Sequence, residues 1–149
     1  MSPDLRHRNL ALLLLQARES VMAEFRPLLN EHGLTEQQWR VIRALLQNGP
    51  LEPRQLCELC QIVSPSLTGV LARMEELDLV KRERLPDDQR RLRISLTARS
   101  KRLAAKMAPH VEARYEAMER ELGPELTEQV YATLDRLLER LSARRGASS

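Results

Sequence analysis

Apolar residues recur at helical spacing through most of the chain. Leu10, Leu14, Val21, Met22, Phe25, Leu28 and Leu29 predict a first long helix reaching about Asn30, ended by His32-Gly33. Pro27 falls inside it and predicts a bend, because proline lacks an N–H and crowds the preceding turn. Thr35, with Gln38 three residues on, has the form of a capping box. It opens a second helix through Trp39, Ile42, Leu45 and Leu46, which Asn48-Gly49-Pro50 stops. A short third helix spans about Pro53 to Cys60. Ser64 is the expected cap of a fourth, with Pro65 at its first position, where a missing N–H costs nothing. Leu67, Val70, Leu71, Met74 and Leu77 form the buried stripe of that helix.

The period changes at Asp78. Val80 to Leu85 and Arg91 to Leu96 read as strands, with Leu92, Ile94 and Leu96 alternating with Arg93 and Ser95. Pro86-Asp87-Asp88-Gln89 is the polar turn between them. Thr97 caps a fifth helix to about Leu122, and Gly123-Pro124 breaks the chain. Leu126, Val130, Leu134, Leu137, Leu138 and Leu141 mark a sixth. That stripe is too long for one small domain to cover, so a homodimer is expected. Only five glycines, beside abundant leucine, alanine, glutamate and arginine, agree with a mainly helical fold. The expected architecture is mainly α with a small β-hairpin wing. It is a single domain over 1–149, with a winged helix-turn-helix reader at 34–97. Helices at 5–31 and 98–142 serve dimerisation, and 143–149 form a flexible tail.

Charge adds a partner. The chain carries +3 overall, which is too little to imply a polyanion by itself. Between Lys81 and Arg102, however, nine cations (Lys81, Arg82, Arg84, Arg90, Arg91, Arg93, Arg99, Lys101 and Arg102) face only Glu83, Asp87 and Asp88. A basic hairpin beside two short helices joined by Gln61-Ile62-Val63 is the footprint of a protein that binds double-stranded DNA. Off the apolar stripe, the fourth helix carries Ser64, Ser66, Thr68, Gly69 and Arg73. A helix entering the major groove needs small residues for close approach and polar ones for base edges and phosphates. Gly69 inside a helix costs about 1 kcal/mol against alanine. Two readings fit it: close approach of the backbone to DNA, or packing against the third helix.

These segments resemble a known family. Gln55-Leu56-Cys57-Glu58-Leu59, Ser64 through Leu71, Met74-Glu75-Glu76-Leu77 and Leu79-Val80 look like the reader of the MarR family of bacterial repressors. Asp88-Gln89-Arg90 followed by Ile94-Ser95-Leu96-Thr97 resembles that family's wing. The resemblance covers nearly the whole chain and implies a dimer built by the flanking helices. It also implies that Arg90 enters the minor groove, held by Asp88; Arg82, Arg84 and Arg91 of the basic hairpin are further candidate DNA contacts. An arginine on a narrow ribbon can read minor-groove width and potential. The chain departs from the family at Asp78 and Gln61, where glycines are common.

Leu14-Leu15-Gln16-Ala17-Arg18-Glu19, Phe25-Arg26-Pro27 and Leu34 through Arg40 are similar to regulators of 4-hydroxyphenylacetate (homoprotocatechuate) degradation operons. That resemblance implies a repressor released from DNA by a small aromatic carboxylic acid. Arg18, interrupting an apolar face, is either a structural ion pair or a bidentate grip on a carboxylate. Trp39 supplies an apolar wall or is simply core, and Arg40 is a second candidate cation.

A rival reading is a redox-sensing repressor using Cys57 and Cys60, whose C-x-x-C spacing also suits two small buried thiols. No phosphate-binding loop, nucleophile elbow or metal cluster points to an enzyme or a cofactor. The longest apolar run, Leu10 to Leu15, is too short to span a membrane, and no secretory signal is evident. A cytoplasmic protein is expected.

Overall fold

The computed structural model describes residues 1–147. They fall into two compact units that meet at His110 and Val111. The first opens with α1 (Leu10–Ala23), whose Leu12 N–H is accepted by the Asn9 side chain at 3.0 Å. It continues through α2 (Arg26–Glu31), α3 (Glu36–Asn48), α4 (Pro53–Cys60) and α5 (Ser64–Glu76). Strands β1 (Val80–Leu85) and β2 (Asp88–Leu96) follow, then α6 (Ala98–Leu122), which runs on into the second unit. There α7 (Pro124–Ala147) follows Gly123. Among the described residues no helix is long and apolar enough to cross a membrane.

The core of the first unit is aliphatic. Ile42, Leu56, Leu67, Met74, Val80 and Ile94 are fully buried, drawing α3, α4, α5 and both strands around one centre. The strands pair antiparallel, Val80 opposite Leu96. Leu51 adds a bridge on the other side of β2, exchanging hydrogen bonds with Ile94 at 3.0 and 2.7 Å. The hairpin root is thus tied to the helices, while its tip projects.

The capping box at Thr35 forms as expected: Thr35 Oγ1 accepts the Gln38 N–H at 3.1 Å, and Gln38 Oε1 accepts the Thr35 N–H at 3.0 Å. Four expectations need correction. The single bent helix expected up to Asn30 is two helices, broken at Glu24 and Phe25. Pro27 lies in the first turn of α2, where its missing N–H has no helical acceptor to lose, so it starts a helix instead of bending one. Ser64 is not a cap. Val63 holds that place with an extended backbone (φ −67°, ψ 147°), and Ser64 and Pro65 are the first two helical residues. A β-branched residue suits the extended position.

Asp88 and Gln89 belong to β2, leaving only Pro86-Asp87 as the turn, because a register shift at Arg84/Leu85 sets Leu85 opposite Asp88. Finally, residues 143–147 of the expected flexible tail continue α7, and positions 148–149 lie outside the described residues. Arg144 and Arg145 in that last turn complement the negative end of the helix dipole.

Candidate nucleic-acid interface

Helix α5 is held at both ends. At its N-terminal side Gln61 closes α4 in the left-handed region (φ 52°), and its side-chain amide donates to the Glu58 carbonyl at 2.7 Å. The Arg40 guanidinium reaches across from α3 and donates to the carbonyls of Cys60 at 2.6 Å and Gln61 at 3.4 Å. At the C-terminal side Asp78, also left-handed (φ 57°), donates to Glu75 O at 3.0 Å while Leu79 N–H reaches Met74 O at 2.8 Å. This is a Schellman ending with aspartate in the usual glycine place. From the start of α6, Thr97 Oγ1 donates to Asp78 O and Arg99 Nη1 to Leu77 O, each at 2.7 Å. Both departures from glycine therefore adopt the backbone that glycine would favour.

Burial of Leu67, Leu71 and Met74 turns Ser64, Ser66, Thr68, Gly69, Ala72 and Arg73 to the outside. A Cβ built on Gly69 would meet nothing within 4 Å. Within the single chain Gly69 therefore packs against no neighbouring helix. Thr68 back-bonds to Ser64 O at 3.1 Å, and Arg73 pairs with Glu76 at 3.0 Å on the exposed surface.

The wing sorts its cations. The Arg90 side chain is 93% exposed at the hairpin tip, and Asp88 Oδ1 accepts both its backbone N–H (3.0 Å) and its Nε (3.3 Å). One carboxylate oxygen thus aims the whole residue. Arg84 donates to Gln89 O across the hairpin at 3.2 Å. Arg82 is tied to Glu75 of α5 at 3.0 Å. Arg91 is paired with Glu52, the residue before α4, at 2.6 Å, and the Glu52 carboxylate raises its guanidinium pKa further. Arg82 and Arg91 brace the wing against the helices, whereas Arg84 and Arg90 stand at its tip.

A MarR-family model matches residues 32–91, the span from α3 through the wing tip. The HTH-type transcriptional regulator FarR of Neisseria gonorrhoeae is 42% identical over 125 residues, covering 84% of this chain and 86% of that protein. The chain belongs to the MarR family. A second MarR-like relative is the homoprotocatechuate degradative operon repressor of Escherichia coli, 39% identical over 132 residues and 89% of each chain. The crystal structure of NadR in complex with 4-hydroxyphenylacetate superposes with a TM-score of 0.77 at 40% identity, covering 92% of this chain and 97% of that one. The protein is thus a MarR-family transcriptional regulator.

In this MarR-family chain the expected effector residues are partly brought together. Arg18 (side chain 43% exposed) pairs with Glu19 at 3.2 Å and with Glu36. Glu36 also meets Arg26 at 3.4 Å and Arg40 at 3.7 Å, and Arg26 reaches Glu19 at 2.7 Å. Burial alone would push the Glu36 carboxyl up. The hydrogen bond from Arg18 and the charges of Arg18, Arg40 and Arg26 outweigh it and hold the carboxyl below its ordinary range. Trp39 is buried, and Arg43, half-buried, lies one helical turn further along α3.

The sequence reading had missed Glu36, Glu52 and Glu75, the anions that decide which arginines are occupied. Cys60 is buried and its thiol donates to Arg40 O at 3.5 Å; burial pushes its pKa up. Such a thiol is poorly suited to sensing oxidants, since the thiolate is the reactive form. Cys57 is half-buried.

Proposed function

We propose that this protein is a homodimeric repressor of an aromatic-acid catabolic operon, acting in the cytoplasm and released from DNA by 4-hydroxyphenylacetate or 3,4-dihydroxyphenylacetate. The observation that carries the reading is the match, over 89% of both chains, to a homoprotocatechuate operon repressor. The 4-hydroxyphenylacetate complex of NadR supports the ligand class.

Ser64, Ser66, Thr68, Gly69 and Arg73 meet the major groove, while Arg84 and Arg90, with Asp88 aiming the latter, meet the minor groove and its phosphates. Arg82 and Arg91 hold the wing in place. The dimer is formed by α1, α6 and α7. Leu10, Leu12 and Leu15 of α1 and Leu126, Val130, Leu134, Leu138 and Leu141 of α7 are exposed in the single chain, and a second copy covers them. For the effector, Trp39 offers an apolar wall. Arg43, at i+4 on α3, puts a guanidinium on the same face, and Arg18 is a second cation for the carboxylate. Arg40, assigned to the ligand from the sequence, is engaged with the Cys60 and Gln61 carbonyls and acts on the reader instead.

Fluorescence anisotropy on the DNA upstream of its own gene tests the reading. Either phenylacetate should lower DNA affinity by about five- to a hundredfold, a coupling of about 1–3 kcal/mol. Arg18→Ala or Arg43→Ala should abolish that response while leaving operator binding near normal. Absence of any response to either acid at millimolar concentration in the wild type overturns the pathway assignment and leaves the DNA-binding one standing.

A further inference from the structure

The corner between α4 and α5 carries glutamine in a backbone conformation that L-residues other than asparagine and aspartate rarely visit. Gln61 has φ 52° and ψ 50°. Within the corner the Gln61 side-chain amide bonds to Glu58 O at 2.7 Å, and from outside it one further side chain is placed to hold the backbone. Arg40 Nη1 donates to the carbonyls of the two peptides that flank the Gln61 Cα, Cys60 O at 2.6 Å and Gln61 O at 3.4 Å. The grip is reciprocal, because the Cys60 thiol donates back to Arg40 O at 3.5 Å. Glu36, one turn before Arg40 on α3, lies 3.7 Å from the same guanidinium and is itself fixed by Arg18 and Arg26. The Arg40 side chain is 32% exposed; the short bond to Cys60 O is part-buried, and the longer one to Gln61 O is exposed.

We infer that Arg40 is a positioning residue for DNA recognition, replacing by hydrogen bonds the conformational freedom that a glycine at position 61 would supply. The inference rests on the reading of α5 as the DNA-reading helix. Arg40 touches no DNA. It sets the backbone from which α5 departs, and so the angle at which Ser64, Ser66 and Thr68 reach the groove. Glu36 adds an opposite charge 3.7 Å from the guanidinium.

The test is a set of five proteins: wild type, Arg40→Ala, Gln61→Gly, the double variant, and Arg40→Met, which retains the aliphatic volume in case the alanine form folds poorly. In wild-type background, loss of Arg40 should weaken operator binding by about tenfold or more, as expected for hydrogen bonds from a charged donor. In the Gln61→Gly background the same change should cost less than about threefold, because glycine adopts the left-handed corner unaided. Amide hydrogen exchange supplies a readout that needs no DNA. Removal of Arg40 should speed exchange at residues 61–62 in the glutamine background while leaving the α1 amides unchanged.

Equal losses of affinity in both backgrounds, or unchanged exchange at the corner, overturn the inference. If wild type fails to bind any duplex, the DNA-reading assignment falls by itself, and the exchange result still decides whether Arg40 holds the corner.

Discussion

Gly69 and Arg90 show how single positions divide between stability and recognition. No atom of the folded chain lies where a Gly69 Cβ would go, so alanine there restores helix propensity unopposed. Gly69→Ala should raise the unfolding free energy by about 0.5–1 kcal/mol and weaken operator binding, because the added methyl stands between helix and DNA. Urea denaturation and anisotropy on one preparation would show opposite signs; a variant that gains stability with no loss of affinity would mean that the helix does not approach DNA at this point. Arg90 inverts the pattern. It is almost wholly exposed and contributes little to the fold. Arg90→Ala should cost about 1–3 kcal/mol of operator binding and lower the slope of log affinity against log salt by about one. Asp88→Ala should move both in the same direction by less. Unchanged binding across a salt series would remove Arg90 from the interface.

The elements were largely written in the hydrophobic period, while the ties between them were not. The capping box at Thr35 and the centres of the α3 and α5 stripes are local patterns and formed where expected, while Leu46 is exposed and Val70, Leu77 and Leu92 are only half-buried. The misplacements were local too, and two came from single residues with two roles. Pro27 both breaks a helix and begins one, and Ser64 both caps and serves as a first helical residue. What the sequence could not show were contacts between residues far apart along it. Arg91 with Glu52 and Arg40 with Cys60 depend on how helices and wing pack, so arginines that look alike in a basic run separate into braces and contacts only in three dimensions.

The Glu36 cluster among α1, α2 and α3 makes a prediction at this level. Its carboxyl is held below the ordinary carboxylate range in the folded state. Its contribution to stability is therefore present at neutral pH and is lost as pH falls through and below that range. Glu36→Gln should be less stable than wild type at neutral pH, and the difference should shrink on acidification toward the folded-state value. Parallel stability curves for the two proteins across pH 3–7 would show that the cluster is not coupled to folding.

For the whole molecule, the exposed leucines of α1 and α7 predict that the chain is not monomeric. Sedimentation equilibrium should give a dimer at micromolar concentration, and a stable monomer there would contradict the assembly proposed. A two-fold dimer places two recognition helices on successive turns of one DNA face, about 34 Å apart, and favours a pseudo-palindromic operator. Inserting five base pairs between half-sites rotates one by half a turn and should abolish high-affinity binding.

The bonds that secure α5 come from Arg40, Thr97, Arg99 and the buried Leu67, Leu71 and Met74. The outward positions 66, 69 and 72 belong to none of these. Mutations there can accumulate without disturbing the anchorage, so, on the proposed reading of α5, the protein can acquire a taste for a new operator long before it loses its ability to fold. Descendants of one ancestral scaffold can thus come to govern unrelated genes by rewriting a handful of surface letters, and a designer can exchange those letters for the same purpose.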